Sequence, residues 1–517
     1  MKKIGRKLVF LFPNLFKLLF RRVVLVSLSI LIQFLVLFIA LRQFSSHYAW
    51  VYVFFSVLSV VVVLVLINSR THPAYQIAWL IPITVFPVFG AVLYLILGGG
   101  RLSPRLVRRM EQFTRQMKAM PPQPEATQAL RELDPVAARQ SAYLTSFGGG
   151  PVYQGTQTTY YPTAEACFTS ILDELEKAKN YIYLEYFIIA EGTMWDQILA
   201  ILREKKAQGL DVRVIYDDFG SINRLPSRYY RQLEAEGIAC AVFNPYIPIM
   251  SSRLNNRDHR KLLIIDGAIA FTGGTNLADE YINELPRFGH WKDNGILVRG
   301  EAAWSMTVMF LSMWCYLKGL QAQALTPPQF PPLESDGFVQ PYADNPLDGE
   351  AVGETVYRNL IGSALDHIWI MTPYLILGNE TLDSLTTAAK SGLDVRIITP
   401  GIPDKRMVHT VTRSYYDALL EAGVRIYEYT PGFVHSKVFA VDGIYATVGT
   451  VNLDFRSLYL HFENGLWLYR TGSISQVEAD FLATLDQCQE ITPESRKQIS
   501  GLRRLAGAVL RVFAPLM

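Results

Sequence analysis

Two runs of nineteen residues, 23–41 and Ala49–Ile67, contain no charged side chain. Each is about as long as a helix that crosses a bilayer. A third apolar stretch, 77–97, is interrupted by Pro82, Pro87 and Gly90. Those breakers suit a kinked or re-entrant segment. From residue 101 the chain turns polar, with prolines at 121, 122 and 124 and a Gly148-Gly-Gly150 run, which reads as a helical neck and linker. Beyond Pro151 the pattern alternates: helical periodicity over 164–179, a strand-like run over 181–189, a helix over 194–208 and a strand over 210–216. The alternation predicts an α/β sandwich with a mainly parallel central sheet.

The plan then repeats. Gly209-Leu-Asp-Val-Arg213 recurs letter for letter as Gly392-Leu-Asp-Val-Arg396, about 180 residues later. That period is too long for a solenoid and predicts two homologous halves. The expected divisions are a membrane anchor (1–100), a neck and linker (101–150), a first half (151–322), a proline-rich linker (323–348) and a second half (349–517). The second half ends in a basic amphipathic tail carrying Arg503, Arg504 and Arg511. The apolar stretch 302–317 is too short to span a bilayer and predicts a helix buried between the halves.

Each half contains the same constellation. His259-Arg-Lys261 precedes Asp266 and His435-Ser-Lys437 precedes Asp442, both as H-x-K-x4-D. Ten residues after each Asp stands an asparagine, Asn276 or Asn452, at the end of a glycine-containing turn. Asp266-Gly267 and Asp442-Gly443 separate two β-rich runs, a strong hairpin signal. A histidine and a lysine two apart on a strand face the same way. One such copy reads as a surface strand; two copies with equal spacing point to a paired site.

Exchange at a phosphodiester is one chemistry that uses such a pair. One imidazole attacks phosphorus, giving a phosphohistidine. The other protonates the leaving alkoxide and later deprotonates the incoming alcohol. Lys261 and Lys437 neutralise the non-bridging oxygens, and the Asn276 and Asn452 amides donate to them. Asp266 and Asp442, at the turns, complete the candidate catalytic set as orienting charges. Thr275 and Thr450, inside the glycine turns, join the asparagines and Glu463 as candidate substrate-binding residues. Glu185 and Tyr374 are weaker candidates for the lining.

The twin motif resembles that of the phospholipase D superfamily. Leu254 to Lys261, Trp291-Lys-Asp293, Thr372-Pro-Tyr374 and Gly449 to Ser457 look like the superfamily's bacterial cardiolipin synthases, and the similarity runs over most of the chain. The resemblance implies an interface active site without metal or other cofactor. It also implies a reaction that turns two phosphatidylglycerols into cardiolipin and glycerol. It leans to His259 as nucleophile, although pseudo-symmetry leaves the reverse order open. It further implies that Glu463 orients a histidine. His461 stands where the family commonly has Asn, and Trp291-Lys-Asp293-Asn294 departs from the common Trp-x-Asp-Thr.

Composition narrows the setting. Half of the 517 residues are hydrophobic and the net charge is only +3. The near-neutral balance gives no footprint for nucleic acid. Four widely spaced cysteines without C-x-x-C suggest free thiols in a reducing compartment. No phosphate-binding glycine loop or dinucleotide fingerprint is present. Residues 1–22 hold seven Lys or Arg and no acid, and Arg101, Arg105, Arg108 and Arg109 follow the third apolar stretch. Both flanks are cytoplasmic if two segments cross and the third re-enters. The expectation is therefore a multi-pass protein of the bacterial plasma membrane with a cytoplasmic catalytic part and phospholipids as its partners. A phospholipid hydrolase is the competing reading, since only the identity of the attacking alcohol or water separates the two.

Overall fold

The computed structural model describes residues 22–47, 49–69, 71–98, 115, 117, 120–247, 255–321, 326–330, 333–334 and 337–516. The basic flanks at 1–21 and 101–109 lie outside these, as does part of the linker around 322–336.

Two sheets carry the same strand order. The first runs Thr156–Tyr161, Gly295–Gly300, Ile269–Gly273, Lys261–Ile265, Tyr181–Tyr186, Asp211–Asp217, Ala239–Phe243. The second runs Phe338–Asp344, His461–Tyr469, Tyr445–Gly449, Val438–Val441, His367–Met371, Asp394–Pro400, Arg425–Tyr429, Cys488–Ile491. The order confirms the internal repeat, but the sheets are mixed and not mainly parallel. Within the repeated strand order, the parallel pairings are those made through helical crossovers, such as Tyr181–Tyr186 with Asp211–Asp217. The H-x-K-x4-D hairpins pair antiparallel, because a tight turn can join neighbouring strands in no other way, and their flanking strands are antiparallel to them as well.

One apolar cluster takes residues from both sheets, among them Leu262, Ile264, Val438 and Val448. The Glu301–Lys318 helix lies within it, with Trp304, Met309, Phe310 and Met313 buried. The Pro124–Leu133 and Pro135–Tyr143 helices of the expected neck pack Ala126, Leu130 and Ala137 into the core of the second half. Phe338–Asp344, inside the expected linker, is a full strand paired with His461–Tyr469. Asp134 caps the 135–143 helix and accepts from the Tyr445 and Tyr469 hydroxyls. These segments are thus parts of the globule. The four cysteines are free.

Near the N-terminus a 26-residue helix, Arg22–His47, precedes the 19-residue helix Ala49–Ile67. The second is long and apolar enough to cross a membrane. The third apolar stretch is two short helices, Pro73–Val85 and Pro87–Leu93, broken at Phe86. At 1.5 Å per residue the longer of them reaches roughly 20 Å, short of a bilayer core. His72, at its start, bonds Glu380 at 3.1 Å and packs edge-on against Phe455 and tilted against Tyr459, tying this N-terminal segment to the second half.

Candidate active site

The backbone leading into each histidine pairs with the opposite half. Arg257–Asp258 runs parallel to His461–Phe462, and the His259 amide donates to the Phe462 carbonyl at 2.9 Å. Gly432–Val434 runs parallel to His290–Lys292, and the His435 amide donates to the Lys292 carbonyl at 2.7 Å. Each imidazole therefore emerges beside a carboxylate of the other half. His259 Nδ1 lies 2.9 and 3.0 Å from the two Glu463 oxygens, and His435 Nδ1 lies 2.7 Å from Asp293 Oδ2. With Nδ1–H donating to a carboxylate, Nε2 of each ring is left for chemistry.

The two braces are built differently. Thr450 donates its hydroxyl to Glu463. The corresponding position in the first half is Gly274, where a Cβ would stand only 2.0 Å from Asp293 Oδ1. A side chain is excluded there because the shorter Asp sits closer to the turn. Thr275 is one position out of register with Thr450 and bonds the Asn294 carbonyl at 3.3 Å. Glu463, Thr450 and Thr275, expected to touch substrate, thus bond protein groups: Glu463 and Thr450 form one positioning unit, and Thr275 secures a turn.

Lys261 and Lys437 are almost fully buried, each donating to the carbonyl of its own histidine. Burial pushes the Lys261 ammonium down to about 8 and that of Lys437 to about 7. Burial, reinforced by the neighbouring lysines, also pushes His259 well below its usual range. The same causes, partly offset by Asp293, bring His435 down to about 4. Burial alone would raise the Asp293 carboxyl, but His435, Lys437 and the Asn294 amide together hold it below the usual range. Both rings are therefore neutral at pH 7 before an anion enters. Asn276 receives the Ile188 amide at 3.0 Å and donates to the Tyr281 hydroxyl at 2.6 Å. Asn452 Oδ1 is buried without a hydrogen-bond partner among the described residues.

His259, His435, Asn276 and Asn452 line one cavity of about 640 Å³. Phe187 stands edge-on to His259 at 5.0 Å, and Trp291 and Tyr281 lie 5.4 Å from His435. Arg224, Arg257, Arg287, Lys405 and Arg456 are also in the wall, which composition alone did not reveal. Tyr374 lines it too, its hydroxyl on Asp404 at 2.7 Å. Glu185 does not: it is fully buried against Arg260 at 2.5 Å, the residue between His259 and Lys261. His461 is part of the wall, its Nδ1 3.8 Å from Glu463 and neither ring nitrogen hydrogen-bonded among the described residues. Burial pushes that imidazole down to about 3. Donor atoms of His259, His461 and Glu463 lie within 4.8 Å of one another, close enough for a metal ion. The charges of Arg456 and Lys261 beside them oppose a cation there.

Asp266 and Asp442 are elsewhere. Each sits at positive φ, 53° and 56°, in the tight turn before a glycine. Each accepts three backbone amides: Asp266 from Lys179, Asn180 and Tyr181, Asp442 from Leu365, Asp366 and His367. The run of strand from Lys261 to Asp266 is roughly 16 Å long. Their expected place in the catalytic set is thus corrected: they fasten the hairpin to the neighbouring strand. Asp266→Ala is expected to cost about 2–3 kcal/mol of stability. A lower thermal unfolding midpoint in detergent, with turnover per folded molecule nearly unchanged, is the outcome to check.

Comparisons with known proteins place the chain in a family. The family model described as cardiolipin synthase, phospholipase D-like domain, matches residues 171–314 and 357–485. A model described as phospholipase D-nuclease N-terminal matches 49–99. A cardiolipin synthase of Geobacillus kaustophilus is 38% identical over 472 residues, 89% of this chain and 92% of its own. One from Alkalihalophilus pseudofirmus is 33% identical over 95% of this chain and 99% of its own. The crystal structure of the Haemophilus influenzae phosphatidylserine synthase is similar in fold, with a TM-score of 0.54 at 16% identity over 73% of this chain and 97% of that one. The chain therefore belongs to the phospholipase D-like cardiolipin synthases.

Proposed function

We propose that the protein joins two phosphatidylglycerol molecules into cardiolipin and glycerol, with His259 as nucleophile and His435 as acid and base. The observation that carries this reading is the pair of imidazoles, each braced at Nδ1 by the opposite half and both lining one cavity. His259 Nε2 attacks the donor's phosphorus, and the bond from phosphorus to the headgroup glycerol oxygen breaks. His435, which takes up a proton at Nε2 as the phosphodiester anion binds, gives that proton to the oxygen, and free glycerol leaves. His435 then takes the proton from the terminal hydroxyl of a second phosphatidylglycerol. That oxygen attacks phosphorus, the P–N bond breaks and His259 is regenerated.

The order of roles rests on the braces. Burial and the neighbouring lysines keep His259 neutral and nucleophilic, whereas the ionised Asp293 supports a proton on His435. A bound phosphodiester anion offsets the mutual repulsion of the lysines and histidines, so the two ammonium groups hold their protons during transfer. In this reading the Asn276 and Asn452 amides, both in the cavity wall, donate to the same oxygens. The apolar N-terminal helices keep the site beside the bilayer. Two crossings with a re-entrant 73–98 segment put the catalytic part in the cytoplasm.

Incubating purified protein with labelled phosphatidylglycerol is the test. Cardiolipin and glycerol in equal amounts are expected. Phosphatidic acid as the main product would replace transfer by hydrolysis, and no product at all would refute both.

A further inference from the structure

A second cavity, of about 800 Å³, lies outside the catalytic one. Its walls come from three helices: the membrane-proximal Pro73–Val85, Arg406–Ser414, and the C-terminal Gly501–Phe513. We propose that it is a separate site for an anionic glycerophospholipid, which feeds the catalytic cavity; this rests on the lipid substrate read above.

Charge is the first argument. Arg406, Arg413, Arg496, Arg503, Arg504 and Arg511 face the cavity against a single carboxylate, Asp417. Arg413 is neutralised by Glu428 and Arg496 by Asp417. Arg511 lies over the Tyr415 ring at 4.0 Å, and Arg504 donates to the Arg496 carbonyl. Arg406 and Arg503 are exposed and have no carboxylate partner among the described residues. Guanidinium groups left so, around a concave wall, suit a phosphodiester.

Hydrophobicity is the second. On the C-terminal helix Leu502, Leu505, Val509 and Val512 follow one another at steps of three, four and three, which puts them on one face. Leu502 is 78% and Leu505 61% exposed. The opposite side rests on the 406–414 helix through Gly507, where an added Cβ would meet Ser414 at 3.4 Å. Ile77 and Val85 of the membrane-proximal helix are exposed as well. An apolar stripe flanked by arginines, beside a segment that follows a helix able to cross a membrane, fits a lipid whose acyl chains stay in the bilayer.

Continuity is the third. Phe455 lines both cavities, and Ala514 lines the catalytic one where Pro515 lines the other. Lys405 and Val408 face the catalytic side while Arg406 and Met407 face the other. A thin partition thus separates a phosphate-binding wall at the membrane from the histidines.

The test uses full-length His259→Ala protein in phosphatidylcholine nanodiscs containing phosphatidylglycerol with a photoreactive group near its glycerol backbone. Crosslinks to 406–414 and 501–513 are expected. Adding Arg406→Glu and Arg503→Glu should cut them about tenfold while sparing crosslinks around 281–291 and 433. Equal capture by the double variant, equal capture of a phosphatidylcholine probe, or displacement by inorganic phosphate alone would each overturn the proposal. On an otherwise unmodified background the same double variant should still turn over short-chain phosphatidylglycerol in detergent. Loss of that turnover with unchanged unfolding behaviour would also overturn it, by making the arginines part of catalysis. Failure of the parent enzyme to form cardiolipin, with capture at 406–414 intact, would sink the catalytic reading and leave the lipid site standing.

Discussion

His259→Ala is expected to lower cardiolipin formation roughly 100,000-fold, to the level set by binding alone, and to give no covalent lipid adduct. His435→Ala is expected to fall by a similar factor with phosphatidylglycerol as donor, but for a different reason. Without His435 the leaving glycerol oxygen must depart as an alkoxide. A donor whose headgroup is nitrophenol needs no proton, so this variant should still release nitrophenol in a burst and trap lipid on His259. If the burst instead survives in His259→Ala and vanishes in His435→Ala, the two roles are exchanged. If both variants burst, phosphohistidine chemistry is refuted. Both proteins should keep the parent's unfolding midpoint within a few degrees, because each ring faces the cavity more than it supports the core.

The second large effect comes from the braces. Glu463→Gln and Asp293→Asn keep the shape of each carboxylate but turn an acceptor into an amide that can present N–H to Nδ1. Each ring is then free to take the wrong tautomer, with Nδ1 unprotonated and Nε2 carrying the hydrogen. Losses of about 1,000- to 10,000-fold in kcat, with KM nearly unchanged, are expected. The two differ in detail. Glu463→Gln should abolish adduct formation even from the nitrophenyl donor. Asp293→Asn should spare the burst and slow the subsequent transfer to phosphatidylglycerol. Equal loss of both phases in both variants would mean that the carboxylates only hold the fold together.

Much of this is legible along the chain. The hairpins at Asp266-Gly267 and Asp442-Gly443 are, because two consecutive residues at positive φ favour Asp-Gly strongly and both positions have it. The shared cavity is implied by equal spacing of two copies. The crossed bracing is not. Asp293 follows its asparagine by seventeen residues and Glu463 by eleven, so no common spacing marks them as equivalent. Their partners also lie in the other half, which local pattern cannot reach. Trp291-Lys-Asp293 stands out only as a variant motif, although an Asp two residues after a tryptophan is the available signal. Helix–strand alternation overstates the parallel character of the sheets, because it leaves the antiparallel hairpins out of the strand directions. Composition pairs Thr275 with Thr450, one residue off the true equivalence, which falls on Gly274.

The pairing of each histidine with a carboxylate from the opposite half has a consequence for biosynthesis. A ribosome that has finished residue 259 must add about two hundred more before Glu463 exists. During that interval His259 lacks the carboxylate that fixes its proton. Only a polypeptide extended through Glu463 has both histidines braced.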